Sequence, residues 1–185
     1  MSFRIGMPFI CLFFALSLFD GVKYPFMLVL AVLLHEAGHI LAARLVKAPL
    51  TSLKCGIQGF SLSFDFSALS YGREFFILIA GSVSGLICAA AAYGFNRNFV
   101  YFSVVSAVMA IVNLLPIRGL DGGEALACIL DYFLLPEQFY RIAKAVSWIA
   151  SLAFWMCVVW IQLRVHANLS LLAAALYFIW RSARD

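Results

Sequence analysis

Two histidines, His35 and His39, and one carboxylate, Glu36, lie inside an apolar run from Phe26 to Val46. Ionisable groups at membrane depth cost roughly 2.5 to 3.5 kcal/mol each on insertion scales, and they usually face a functional cavity. On a helix, residues four positions apart share one face, about 6 Å apart along the axis, and this spacing suits two nitrogen ligands of one zinc ion. Glu36 could then act as general base toward a metal-bound water. The segment predicts a hydrolytic metal site.

Membrane helices must position these groups. The chain has 185 residues, of which 65% are hydrophobic and 12% are charged, whereas a soluble domain has about 25% charged residues. With a mean hydropathy of +1.00, the composition predicts an all-α polytopic integral membrane protein. Because about 20 apolar residues cross a bilayer as a helix, we expect about six spans: residues 5–19, 26–46, 75–95, 99–117, 145–163 and 165–180.

The first apolar segment, Ile5 to Phe19, has two interpretations. It is short and contains the small-residue site Ala15-Leu16-Ser17, so it is either a cleaved signal peptide or a retained first span. Six spans would put ten basic residues on one side of the membrane and three on the other, which favours retention and places both termini in the cytoplasm. The ten are Arg4, Arg44, Lys47, Lys54, Arg73, Arg118, Arg141, Lys144, Arg181 and Arg184; the three are Lys23, Arg97 and Arg164.

This topology puts the metal motif in the inner half of the second span and limits the choice of a third ligand. Hydrolytic zinc sites use three protein ligands and leave the fourth position to water. His166 follows the fifth span on the outer side, so Asp121, followed by two glycines, is the better candidate. Asp121 with Glu124 is also a helix-start signature for a helix from Gly122 to about Leu134. On spacing alone, ligation and capping stay equally open, and one carboxylate could do both.

Residues 47 to 74 alternate between apolar and polar types and predict a short membrane-surface β-hairpin between the second and third spans. Its open edge could hold an extended substrate by main-chain hydrogen bonds, or the hairpin could merely line the interface, and both interpretations stay open. In the third span, the small residues of 80–85 predict close packing against the motif helix. Residues 1–185 are expected to form a single membrane-embedded domain, since the loops are too short to hold another.

The fourth span ends in Asn113-Leu114-Leu115-Pro116, and Asp121-Gly122 follows. Together with His35-Glu36-x-x-His39, this second motif resembles the site-2 protease family of intramembrane zinc metalloproteases, whose signatures are His-Glu-x-x-His and Asn-x-x-Pro-x-x-x-x-Asp-Gly. The resemblance extends from about Phe26 to Asp131 and is greatest to the compact subgroup that processes membrane-tethered pro-sigma factors in spore formers. A bacterial cell membrane is therefore the expected location.

The resemblance implies a function for each motif residue. His35, His39 and Asp121 would bind one Zn²⁺ per chain, and Glu36 would be the catalytic base. Asn113 would lie near the substrate or the developing oxyanion, while Pro116 and Gly122 would have structural roles in the motif. Many relatives have Gly-Pro in the third span where this chain has Gly81-Ser82, and there is no room here for the PDZ or CBS domains of other members.

The expected activity is hydrolysis of a peptide bond within or next to a transmembrane segment of a membrane-tethered substrate, such as a regulatory factor. The alternative is a catalytically silent adaptor of the same fold that binds membrane helices. The expected partners are the membrane-protein substrate, the lipid bilayer and a regulatory membrane protein, and the oligomeric state stays open. The scattered basic residues exclude a nucleic-acid surface, and five dispersed cysteines indicate neither a disulfide framework nor a cysteine zinc site.

Overall fold

The computed structural model describes residues 3–5, 23–56, 59–66 and 69–165. Five α-helices lie within these ranges: α1 (Lys23–Leu45), α2 (Tyr71–Phe95), α3 (Val100–Asn113), α4 (Asp121–Phe133) and α5 (Pro136–Val165), with a 3₁₀ turn at Arg97–Phe99 before α3. The described residues divide into two compact units, of which the first ends at Asn113 and the second begins at Leu114. The assignment of the chain to one protease domain stays a prediction.

Three helices of the described part are long and apolar enough to cross a membrane, over Phe26–Leu45, Tyr71–Phe95 and Pro136–Ile161. A shorter apolar helix lies within Arg97–Asn113, where the sequence predicted the fourth span. The chain is an integral membrane protein. The predicted first and last spans lie outside the described residues, apart from Ile5 and Val165 at their edges, so the count of six spans and the cytoplasmic termini stay predictions.

Three strands form one small sheet. Strand β1 (Phe3–Ile5) pairs in parallel with β2 (Leu50–Gly56), and β2 pairs antiparallel with β3 (Gly59–Phe64). The sheet order is β1-β2-β3, so β2 is the central strand and β3 is an edge. The place of this sheet at the membrane surface, and its use in holding a substrate, stay predictions.

Small residues bring α1 and α2 close together in the first unit. The single hydroxyl proton of Ser84 is shared between two carbonyl oxygens, that of Leu34 on α1 at 3.0 Å and that of Gly81 on its own helix at 2.8 Å. A Cβ atom at Gly38 would lie only 2.7 Å from the Ala80 carbonyl oxygen, a distance that side chains do not tolerate. The predicted packing of the small-residue segment of α2 against the motif helix is therefore confirmed.

The carboxyl end of α1 is closed by its own backbone. Ala48 N donates to Ala43 O at 2.8 Å, and Lys47 N donates to Arg44 O at 3.2 Å. Lys47 has a φ of 59°, the left-handed conformation that this Schellman arrangement requires and that glycine usually supplies. The motif helix thus ends just after Leu45, at the inner end predicted for the second span.

Candidate metal centre

His35 and His39 lie on one face of α1, one helical turn apart. Both side chains are buried, at 3% and 6% exposed. Their Nε2 atoms are 3.3 Å apart, and their rings meet edge to face with centroids 5.0 Å apart. The helix therefore brings the two predicted histidine ligands together, with the same ring atom of each turned toward the other.

This nitrogen pair fits a zinc ion. Zinc binds histidine nitrogen at about 2.0–2.1 Å in tetrahedral geometry, and two ligands at that distance and angle stand about 3.3 Å apart. The Nε2 atoms already have this separation. The spacing alone also suits a hydrogen bond between the rings. The outer nitrogen of each ring is Nδ1, and a proton on Nδ1 leaves the Nε2 lone pair available to a metal ion. The position of the proton therefore decides what the pair can bind.

The outer nitrogen of His39 has a fixed partner. His39 Nδ1 lies 2.8 Å from the main-chain oxygen of Ile77 on α2. A carbonyl oxygen only accepts hydrogen bonds, so the proton of the neutral ring is on Nδ1 and the lone pair is on Nε2, facing His35. Metal-binding histidines commonly donate their other ring N–H in this way, which fixes the tautomer and the ring orientation.

Helix α2 also leaves room for the His39 ring. A Cβ atom at Gly81 would overlap the His39 imidazole, with Cε1 only 2.7 Å away. Gly81 is therefore required by the ring itself, and not only by the approach of the two helices. The sequence gives no sign that Ile77 contributes to this site, since a main-chain acceptor can belong to any residue type. It marks Gly81 as a small packing residue and does not show that the His39 ring needs the space.

Asp121 is the first residue of α4 in the second unit, and it is half-buried. The N-cap is Leu120, and no side chain caps the helix there. The capping interpretation of Asp121 is therefore wrong, because the helix begins one residue too early for it. Glu124 Oε1 instead accepts a hydrogen bond from Gly119 N at 3.1 Å, and the φ of 85° at Gly119 makes the turn that this contact closes.

The remaining motif residues lie close to these elements in the chain. Glu36 is half-buried on α1, and Asn113, also half-buried, is the last residue of α3. Pro116 lies in the segment between α3 and α4. A Cβ atom at Gly122 would overlap the Leu114 carbonyl group, so the structural role predicted for this glycine has a steric basis.

His35 and His39 belong to the first unit, and Asp121 belongs to the second. Two neutral imidazoles and one carboxylate are a common ligand set of hydrolytic zinc sites. The orientation of the His39 ring, whose Nε2 lone pair faces His35, fits such an ion. His166, rejected as a ligand from its position in the sequence, lies outside the described residues.

Among solved structures, the chain is similar to the "Site-2 Protease from Methanocaldococcus jannaschii", with a TM-score of 0.67 and 20% sequence identity. The match covers 96% of this chain and 85% of that chain. No protein-family model and no curated protein matches the sequence. At this identity the similarity is one of fold.

Proposed function

We propose that this chain, which has the fold of a site-2 protease, is a member of that family and acts as a zinc-dependent intramembrane endopeptidase. The observation that carries the proposal is the buried histidine pair of α1, whose Nε2 atoms stand 3.3 Å apart inside an apolar helix. Two buried imidazoles in such a helix are costly unless they have a function. The catalytically silent adaptor has no comparable support, since a binding surface needs no such pair.

His35, His39 and Asp121 would hold one Zn²⁺ per chain. A zinc ion bound there would polarise the scissile carbonyl and lower the pKa of bound water to about 7. His39 can keep its Nε2 lone pair available because its Nδ1–H donates to the Ile77 carbonyl oxygen.

Glu36 follows His35 directly and is half-buried. Its carboxylate would take a proton from the attacking water and return it to the amine that leaves, as a general base and then a general acid. Asn113 would hydrogen-bond the substrate or the developing oxyanion from the end of α3, and such a contact is worth roughly 2.7–4 kcal/mol when it forms in the transition state. We propose a membrane-tethered protein as substrate, cleaved within or next to its transmembrane segment.

The first test is the zinc content of the full chain purified in detergent. We expect about one zinc per wild-type chain, and a clear loss in Asp121→Ala. Asp131→Ala is the matched control, because Asp131 is an exposed carboxylate on the same helix. Folded wild-type protein without zinc, or equal zinc in all three proteins, would refute the ligand assignment.

The second test separates the protease from the adaptor. Membranes of cells expressing the wild type or Glu36→Gln are compared by mass spectrometry of protein termini. We expect Glu36→Gln to keep its zinc and to lose every new terminus within or next to a transmembrane segment, because the amide cannot take the proton of the attacking water. If both proteins hold zinc and yield the same termini, the catalytic assignment fails and the adaptor is favoured.

A further inference from the structure

Two buried serines lie three residues apart on α3. Ser103 is 7% exposed and donates to the Ala89 carbonyl oxygen on α2 at 2.7 Å. Ser106 is 1% exposed, and its hydroxyl has no hydrogen-bond partner. Leaving a buried hydroxyl unsatisfied costs roughly 1–3 kcal/mol, so the Ser106 hydroxyl calls for an explanation.

Ser106 and His35 both lie near the notch that Gly85 leaves on α2, because glycine has no side chain. The position that a Cβ atom of Gly85 would take lies 3.6 Å from the Ser106 carbonyl oxygen and 3.9 Å from His35 Nδ1. Ala110 Cβ, also on α3, lies 3.2 Å from the same Cβ position. The outer nitrogen of His35, Nδ1, and the main chain of Ser106 on α3 therefore both lie beside Gly85.

Different groups of α2 lie beside the two histidines. Along α2, Ile77 and Gly81 lie beside His39, and Gly85 lies beside His35. One turn beyond the Ile77 carbonyl that serves His39 is the Gly81 carbonyl, and Ser84 Oγ already donates to that oxygen at 2.8 Å. A hydroxyl on α3 can serve His35 in the corresponding way, as a hydrogen-bond acceptor.

We infer that Ser106 is a positioning residue for His35. Its hydroxyl oxygen accepts a hydrogen bond from the His35 Nδ1–H, either after rotation about the Ser106 Cα–Cβ bond or across one water molecule at the Gly85 notch. This bond keeps the lone pair of His35 on Nε2 and holds the ring toward His39. The inference rests on the proposed function, since it assigns Ser106 to the zinc site proposed above.

The test is the zinc dissociation constant of the full chain in detergent, measured by competition with a chromophoric chelator. Loss of an outer hydrogen bond typically weakens metal binding 10- to 100-fold, so we expect that loss in Ser106→Ala. Ser106→Cys keeps nearly the same volume with a poor hydrogen-bonding atom, and it should bind zinc as weakly as Ser106→Ala. Ser103→Ala, the control from the same helix face, should stay within about twofold of the wild type.

Two further readouts separate positioning from general packing. The visible spectrum of the Co²⁺-substituted protein should change in Ser106→Ala and not in Ser103→Ala, because it reports the ligand geometry. The thermal midpoint of metal-free Ser106→Ala should stay close to that of metal-free Ser103→Ala, since each substitution removes one buried hydroxyl that takes part in one hydrogen bond.

Three results would overturn the inference while leaving the proposed protease intact. Ser106→Ala could bind zinc as tightly as the wild type, Ser106→Cys could do so, or Ser103→Ala could lose as much zinc affinity as Ser106→Ala. A wild-type chain that binds no zinc would overturn both. The test measures zinc binding and not proteolysis. If the chain binds zinc but is not a protease, the results expected for Ser106 therefore stay the same.

Discussion

Adding a single methyl group at Gly81 should damage the metal site more than the fold. In a helix, replacing glycine with alanine stabilises by about 0.8–1.0 kcal/mol. At Gly81, however, the new methyl group would overlap the His39 imidazole, and overpacking of this kind typically costs about 1–3 kcal/mol. The free energy of unfolding should therefore fall by at most about 2 kcal/mol.

In Gly81→Ala, the His39 imidazole should take up the strain from the added methyl group. The imidazole can move away from α2 by rotating, but it then gives up the 2.8 Å bond from Nδ1 to the Ile77 oxygen and the 3.3 Å approach of Nε2 to His35. If all of the strain is released in this way, the free energy of zinc binding becomes about 1–3 kcal/mol less favourable. At 1.4 kcal/mol per factor of ten, the affinity falls roughly 5- to 150-fold.

The assay is zinc affinity by chelator competition, together with the thermal midpoint of the metal-free protein. Gly94→Ala is the matched control, because it lies on the same helix and nothing stands within 4 Å of its added Cβ. We expect Gly94→Ala to bind zinc like the wild type. If Gly81→Ala also binds zinc like the wild type, the reasoning from the ring contact is wrong.

Two further substitutions test the second unit and the end of α1. Ser147→Ala removes the hydroxyl that accepts a hydrogen bond from Arg118 N at 3.1 Å, and we expect about 1–3 kcal/mol less stability against denaturant; an unchanged midpoint would contradict this contact. Lys47→Gly should stabilise the chain by about 0.5–1 kcal/mol, because glycine adopts the φ of 59° without strain, whereas Lys47→Ala, which keeps the strain, should raise the thermal midpoint much less.

The sequence predicted the histidine pair because helix periodicity alone puts residues 35 and 39 on one face. It also predicted that the small residues of α2 pack against α1, since close approach requires small side chains whatever the partner. Both predictions depend on local rules that hold within one helix or between two neighbours.

Other parts of the site depend on contacts that residue types do not encode. Ile77 contributes a main-chain oxygen, and that atom looks the same in every residue. The start of α4 was expected near Gly122 with Asp121 as cap, but the helix begins at Asp121 and Leu120 is the N-cap. Helix boundaries are uncertain by a residue or two in sequence patterns, and one residue decides between a cap and a first-turn side chain. The role of β1 was also missed, because three residues become a strand only through their pairing with β2.

The hydrogen bond on His39 has a consequence for genetics. Its acceptor is a peptide oxygen, so no codon change at position 77 removes it; such changes alter only a side chain that is 0% exposed. A mutational scan would therefore record position 77 as a site of size preference and would give no sign that it orients the ring. The contact can be inherited unchanged while the residue type drifts among apolar side chains, and comparisons of residue identity would miss it.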